Sequence, residues 1–275
     1  MEKQRSVLPQ SISQNTGSFI DPKDNKKKYW FTKPVDEVLV EQLNRYANCF
    51  ENDIDDRDKP KRLALKEVNN CMVLMSGDHG QGSSKFTAKF ILRSIPASEA
   101  VSEPEPFVFV EQVCQIDCKK DTSQVLEMNI ASDLRSALKR ISESKKLYLF
   151  QGNAESNLYV SLINEKRDTA DQLLKEIPIW LGMTGDLLFY SLVLGKENIS
   201  GVWCWRCMMS RKEWNVLEGT RGRNWTIRNI TNHYNSIQQL SGEKTPYQVC
   251  GVTGTPMFPS IEVENYVYLC FTLYS

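Results

Sequence analysis

The spacing of apolar residues along the chain predicts both helices and strands. Over residues 35–50 the apolar side chains recur every three or four positions, which is the period of a helix with one buried face. Residues 68–78 and 107–116 contain short, mostly apolar runs of strand length, and residues 86–94 alternate between apolar and polar positions. The first half of the chain therefore predicts one helix followed by three strands.

The pattern in the second half predicts further elements of both kinds. Residues 123–141 have a helical period, and residues 145–150 form a short apolar strand. Residues 167–177 are predicted as a helix, residues 178–186 as a buried strand and residues 187–195 as a short helix. Together these elements predict the α/β class.

Composition and charge exclude several classes of protein. Of the 275 residues 41% are hydrophobic and 25% charged, as in a globular protein, and the net charge is zero, so no global field attracts the chain to nucleic acid or membrane. The N-terminus lacks the apolar region of a secretory signal, and Asp186 interrupts the longest apolar region, residues 179–195. The sequence predicts no membrane partner and an intracellular, not secreted, protein, with the nucleus as a location open to it.

The glycine-rich segment SGDHGQGSSKF, residues 76–86, has some features of a phosphate-binding loop. Gly77 and Gly82 have the required spacing, but Ser83 occupies the position of the essential lysine and Lys85 comes too late. The residues that follow have the period of a strand, whereas a phosphate-binding loop leads into a helix. The segment therefore predicts a hairpin with Asp78 at its mouth, and a turn aspartate that bonds only its own backbone is the structural alternative.

The segments LMSGD and GMTGD share one pattern, in which an apolar strand is followed by a small hydroxyl residue, glycine and aspartate. This pattern predicts that Asp186, like Asp78, lies at the end of a buried strand. Carboxylates at the ends of neighbouring strands would be close enough to share one or two divalent ions, because hard ions such as Mg²⁺ prefer oxygen ligands. The repeat therefore predicts that Asp78 and Asp186 face each other across adjacent strands.

Two longer segments carry a resemblance to a known family. LMSGDHGQGSSKFTAKF, followed by WLGMTGDLLFYSLVLGKENISGVWCWRCMMSRKEW and WTIRNITNHY, resembles transposase-derived proteins of the DDE superfamily, which includes retroviral integrases, over roughly residues 70–265. The resemblance implies a ribonuclease H-like mixed sheet flanked by helices, with a small Cys-containing insert. It also implies that Asp78 and Asp186 match the first and second catalytic acids, which act on DNA with Mg²⁺ or Mn²⁺.

The resemblance also calls for a third acid on a later helix. Glu262 and Glu264 are the late acids near the chain end, but the alternation around them predicts strand or loop with a solvated face. The site is therefore expected to be incomplete, in a C-terminally truncated transposase-like domain without efficient DNA cleavage. A non-catalytic nucleic-acid-binding or protein-interaction module derived from a transposon is the alternative.

The segment after residue 200 predicts a zinc site. Cys204 and Cys207 have the C-x-x-C spacing that holds two ligands of one tetrahedral Zn²⁺, with His233 as the best third ligand, Cys250 as a candidate fourth and His79 as an alternative. Paired buried thiols are the structural alternative, and a thioredoxin-like redox pair is a third interpretation. The Cys114 and Cys118 pair is predicted to be buried in its strand.

The same segment combines cations with aromatic residues, which favours contact with DNA because cations neutralise phosphates and aromatic rings stack on exposed bases. The tryptophans are equally suited to form the core of a small insert. The basic residues are Arg206, Arg211, Lys212, Arg221, Arg223 and Arg228, and the tryptophans are Trp203, Trp205, Trp214 and Trp225.

The predictions divide the chain into five segments. These are a disordered arm (1–28), a helical lead-in with a charged loop (29–68), the ribonuclease H-like core (69–200), a basic Cys/Trp-rich insert (201–245) and the truncated C-terminal part of the core (246–275).

Overall fold

The computed structural model describes residues 14–52, 64–94, 106–120, 122–129, 132–152, 158–196, 235–236, 238–239 and 251–267. Its α-helices are α1 (Val35–Asn52), α2 (Ser123–Asn129), α3 (Ser132–Ser144) and α4 (Leu187–Val193). Its strands are β1 (Asn15–Ile20), β2 (Lys27–Thr32), β3 (Asn70–Gly80), β4 (Ser83–Arg93), β5 (Phe107–Asp117), β6 (Lys146–Gln151), β7 (Leu158–Ser161), β8 (Gln172–Thr184) and β9 (Tyr266–Val267).

The strands form one large mixed sheet flanked by helices, which confirms the predicted α/β class. Of the nine strands in the described part of the chain, eight follow the order β1-β2-β5-β4-β3-β8-β6-β7, and the ninth, β9, pairs with β8. Strand β8 runs parallel to both β3 and β9, whereas the other pairs are antiparallel. No helix in the described ranges is long and apolar enough to cross a membrane.

The main core lies on one face of the sheet. Strand β4 buries Phe86, Ala88, Phe90 and Leu92 on this face, and the Phe90 ring stacks on Phe109 of β5 at 4.6 Å between centroids. The same hydrophobic cluster includes apolar side chains of two helices, namely Val35, Val38, Leu39, Leu43, Tyr46 and Ala47 of α1 and Leu134, Ala137, Leu138 and Ile141 of α3. The burial of these α1 side chains confirms the helical face predicted over residues 35–50 as far as Ala47.

The hairpin predicted at residues 76–86 is confirmed. Gly80 of β3 lies directly opposite Ser83 of β4, so two residues make the turn. These are Gln81 and Gly82, with φ values of 53° and 75°, and positive φ at both positions is the signature of the tight turn that best fits the twist of a hairpin. Glycine adopts such a φ without strain, whereas glutamine has a small steric cost there.

The predicted disordered arm is wrong where the structure describes it. Residues 15–20 and 27–32 form the hairpin β1–β2, which pairs with β5 through β2. The buried carboxylate of Asp21 joins this hairpin to the end of β5, because it accepts hydrogen bonds from the backbone N–H groups of Lys23 and Lys119, both at 2.8 Å. Such cross-strand and capping bonds stabilise a segment whose own side chains are mostly polar.

The helix predicted over residues 167–177 is also wrong, because β8 begins at Gln172 and pairs with β6. The apolar Leu173, Leu174 and Ile177 fit a helical period, but Leu173 and Ile177 are more buried than Leu174, as the period of a strand requires. The helix predicted over 123–141 is present as α2 and α3, with residues 130–131 outside the described ranges. Strand β7 was not predicted.

A buried carboxylate organises the turn between β7 and β8. The Tyr159 hydroxyl donates to Asp171 Oδ2 at 2.7 Å, and the backbone N–H of Asp168 donates to the same oxygen at 2.9 Å. The Tyr159 ring stacks between Phe150, at 5.1 Å, and the Arg167 guanidinium group, at 4.2 Å. The tyrosine hydroxyl lowers the pKa of Asp171 below its ordinary value of 3.8.

Replacing Tyr159 with phenylalanine is expected to lower the free energy of unfolding at neutral pH by about 0.5–1.5 kcal/mol, because one buried hydrogen-bonded pair is lost. Since the folded pKa of Asp171 is depressed, its ionised form stabilises the fold above its ordinary pKa, and this stability is lost as the pH falls through the folded value. Urea unfolding in a series of acidic buffers should therefore show that the free energy of unfolding falls more steeply with decreasing pH for the parent than for Tyr159→Phe. Tyr148→Phe on β6 is the control, and identical pH profiles for Tyr159→Phe and the parent would contradict the role of this bond.

Candidate metal site at the ends of β3 and β8

The pairing of β3 with β8 places the two predicted acids at one edge of the sheet. Ser76 lies opposite Thr184 in the parallel ladder, and Asp78 and Asp186 each follow two residues later. Because neighbouring strands are about 4.8 Å apart and both run in the same direction, the backbones at the two acids lie near each other. The strands are direct neighbours, as the Gly-Asp repeat predicts, whereas the separation of the carboxylates stays a prediction.

The glycine before each acid has a packing role. A Cβ atom at Gly77 would lie 2.0 Å from Phe189 Cε2, and one at Gly185 would lie 2.4 Å from Phe189 Cδ1. The buried ring of Phe189, in the first turn of α4, therefore rests on both glycines. In β3 the alternation of side chains then directs Asp78 to the face opposite the ring, where it is exposed.

Asp186 has a structural role as well as an exposed position. It is the N-cap of α4, and its Oδ1 accepts a hydrogen bond from the backbone N–H of Phe189 at 2.7 Å. A capping carboxylate satisfies one of the free N–H groups at the start of a helix, and its negative charge is favourable there. The cap also fixes the position of this carboxylate.

Polar side chains of three strands lie beside the acids. Ser76 Oγ and Thr87 Oγ1 of β4 are hydrogen-bonded at 2.6 Å. Thr184 is only 8% exposed, and its Oγ1 has no hydrogen-bond partner in the described part of the chain. Lys85 of β4 lies directly opposite Asp78, and it makes no ion pair with a described carboxylate. The edge therefore combines two exposed acids with a neighbouring cation and an unsatisfied hydroxyl.

The donor atoms beside the two strands are of the type that a single hard ion takes. Within the described ranges no three His, Cys, Asp or Glu side chains form a group that could hold a metal ion, so Asp78 and Asp186 are the candidate ligands. Divalent ions such as Mg²⁺ are commonly held by one or two carboxylates, with water or phosphate oxygen completing the coordination. The unpartnered hydroxyl of Thr184, two residues before Asp186, is consistent with a polar ligand close by.

The late acids lie close to β9 in sequence. Glu262 is exposed and immediately precedes a 3₁₀ turn (Val263–Asn265) that contains Glu264, whose side chain is not described. The strand or loop predicted there takes the form of this turn followed by β9. Neither acid lies on the later helix that the resemblance requires.

The other predicted site residues are only partly visible. All the predicted zinc ligands of the insert, Cys204, Cys207, His233 and Cys250, lie outside the described residues, as do Arg206, Arg211, Lys212, Arg221, Arg223 and Arg228. His79 is in β3, but its side chain is not described. Cys114 and Cys118 are buried, as predicted, and burial raises the pKa of the Cys114 thiol to about 12, so it is an inert core thiol.

Sequence reasoning missed Phe189, Thr184 and Lys85. A signal was present for Phe189, because it stands three residues after the second acid, where a helical first turn can reach back to the strand ends. Lys85 had no comparable signal, since its partner across the sheet depends on strand register.

Comparison with known proteins gives no family assignment. No protein-family model matches the chain, and the search of curated proteins gives no significant match.

Proposed function

We propose that this chain is a transposase-like polynucleotidyl-transferase domain that acts on DNA through a divalent ion, in a degenerate or incomplete form. The observation that carries the proposal is the parallel pairing of β3 with β8, because the ladder ends at Ser76 and Thr184, two residues before Asp78 and Asp186. The chain order supports it: β3, β4 and β5, then α2 and α3, then β8 ending before the second acid follow the ribonuclease H-like plan, with β6 and β7 as additions.

Asp78 and Asp186 would hold Mg²⁺ or Mn²⁺ in this domain. When bound, the ion would supply positive charge to a phosphate oxygen of DNA. Lys85 adds a second positive charge next to Asp78, and the N-cap bond keeps the Asp186 carboxylate at the strand end. A two-ion mechanism needs more carboxylates than these two, which is why the proposal is of an incomplete site.

A second candidate function is a non-catalytic nucleic-acid-binding or protein-interaction module. The observation that favours it is the hydrogen bond from Phe189 N–H to Asp186, because capping alone would explain an aspartate at this position. In such a module Asp78 would be an ordinary exposed strand residue.

Two DNA assays separate these functions. The proposed domain should bind DNA more tightly when Mn²⁺ is added, and Asp78→Asn or Asp186→Asn should remove this gain, while nicking of supercoiled DNA stays weak. The control is Glu143→Gln, on the exposed surface of α3. DNA affinity that is independent of Mn²⁺ and of both aspartates would favour the non-catalytic module. Robust nicking abolished by Asp78→Ala and Asp186→Ala would show that the site is complete.

A further inference from the structure

A groove of about 480 Å³ lies beside β1, β2 and β5, and its volume is in the range of small-ligand sites. Tyr29 is its most accessible aromatic residue, with 58% of its surface exposed. Phe31, two residues along β2, projects from the same face of the sheet and is half-buried. The polar side chains that line the groove include Thr16, Ser18, Gln115 and Asp117.

One row of directly opposed residues leads from this groove to the proposed metal site. Phe31 lies opposite Gln115, Gln115 lies opposite Lys85, and Lys85 lies opposite Asp78. Residues that are directly opposite each other in antiparallel strands project from the same face, so the row is continuous across β2, β5, β4 and β3. With a strand spacing of about 4.8 Å, the three steps from Phe31 to Asp78 span about 14 Å.

The chemistry of the row changes along its length. Its groove end offers aromatic rings and amide groups, its centre offers the Lys85 ammonium group, and its far end offers the acids. Gln115 is held in place because its Nε2 donates to Asp117 Oδ1 at 3.0 Å and its Oε1 accepts from Gln112 Nε2 at 3.0 Å. The negative charge of Asp117 disfavours a phosphate inside the groove. Lys85 and Lys27 favour phosphates just outside the groove, and the Lys27 Nζ atom lies 5.6 Å from the Tyr29 ring centroid.

We propose that this row and the groove beside it bind a single-stranded nucleic acid, with an unpaired base on Tyr29 in the groove and a phosphate of the same strand at Lys85, directed toward Asp78 and Asp186. This inference rests on the proposed function and specifies its substrate as a single strand. Stacking on aromatic side chains combined with cations along the backbone is the general mode of single-strand binding. A base within a duplex is stacked on its neighbours and cannot enter the groove.

The test is fluorescence anisotropy with a short labelled single-stranded oligonucleotide and its duplex, in EDTA so that divalent ions play no part. Tyr29→Ala should weaken single-strand binding by about 5- to 150-fold, whereas Tyr29→Phe, which keeps the ring, should bind like the parent. Lys85→Gln should weaken binding and reduce the slope of log affinity against log salt by about 0.7, because one phosphate contact is lost. The charge control is Lys139→Gln, which removes an equally positive side chain that is 67% exposed. Lys139 lies on α3, and α3 packs on the main core face of the sheet, away from the row.

Equal single-strand affinities for Tyr29→Ala and the parent would overturn this inference, and so would an equal loss of affinity for the duplex. A dimer that Tyr29→Ala converts to monomer, without an effect on oligonucleotide binding, would instead assign the groove to self-association. Because the assay contains no metal ion, its result is independent of whether Asp78 and Asp186 bind one, so failure of this inference and failure of the proposed function are distinguishable.

Discussion

Gly77→Ala is expected to lower the free energy of unfolding by about 1–3 kcal/mol, the usual cost of overpacking a well-packed region. The added Cβ atom would lie 2.0 Å from Cε2 of the Phe189 ring, which is buried and cannot move aside freely. Gly185→Ala should behave in the same way, because its Cβ atom would lie 2.4 Å from the same ring. Urea unfolding monitored by circular dichroism measures the effect.

The strand offers a matched control for this substitution. A Cβ atom at Gly80, three residues further along β3, would have Asp78 Oδ2 as its nearest neighbour at 3.9 Å, an ordinary contact distance. Gly80→Ala should therefore be close to neutral. In a double-mutant cycle, Gly77→Ala should cost little in a Phe189→Ala background, since the clashing ring is gone. Equal costs in the two backgrounds would show that Phe189 is not the reason for the glycine.

Mn²⁺ is expected to stabilise the parent chain by about 2.7 kcal/mol when its concentration is 100 times its dissociation constant, because it binds the folded state. Asp78→Asn and Asp186→Asn should each remove most of this stabilisation, since each deletes one of the two negative ligands at the strand ends. Thermal unfolding with and without Mn²⁺ measures the gain. Glu143→Gln, on the exposed surface of α3, should retain it.

The cap at Asp186 allows its two roles to be separated. An asparagine side chain can still accept the hydrogen bond from Phe189 N–H, so Asp186→Asn should keep the metal-free stability of the parent. Asp186→Ala should lose about 1 kcal/mol without metal as well, because the cap is removed. If Mn²⁺ stabilises Asp78→Asn as much as the parent, the ion binds elsewhere in the chain.

The elements predicted best were those whose own side chains determine them. Strand β4 alternates clearly, and Gly82 supplies the positive φ that the hairpin turn requires. By contrast, β1 and β2 have few residues that point to a core, and backbone bonds to Asp21 and pairing with β5 hold them in the sheet. The start of β8 was mistaken for a helix because three apolar residues fit both periods, and only pairing with β6 decides between them.

The candidate site was predictable in part for a related reason. The strand–Gly–Asp form occurs twice in the sequence, so the two acids could be named without a structure. The row through Lys85 could not, because the register between β4 and β5 shifts at Phe86/Thr87. A shift of one residue changes which side chains share a face, and counting along a single sequence does not reveal it.

In the proposed site, Asp78 and Asp186 together bind one divalent ion where β3 and β8 lie side by side. A crystal structure of the chain with Mn²⁺, using anomalous diffraction to locate the ion, tests this binding without recourse to activity. We expect one anomalous peak in contact with both carboxylates, and its loss in Asp78→Asn crystals. Carboxylates that point away from each other, with no peak between them at saturating Mn²⁺, would contradict it.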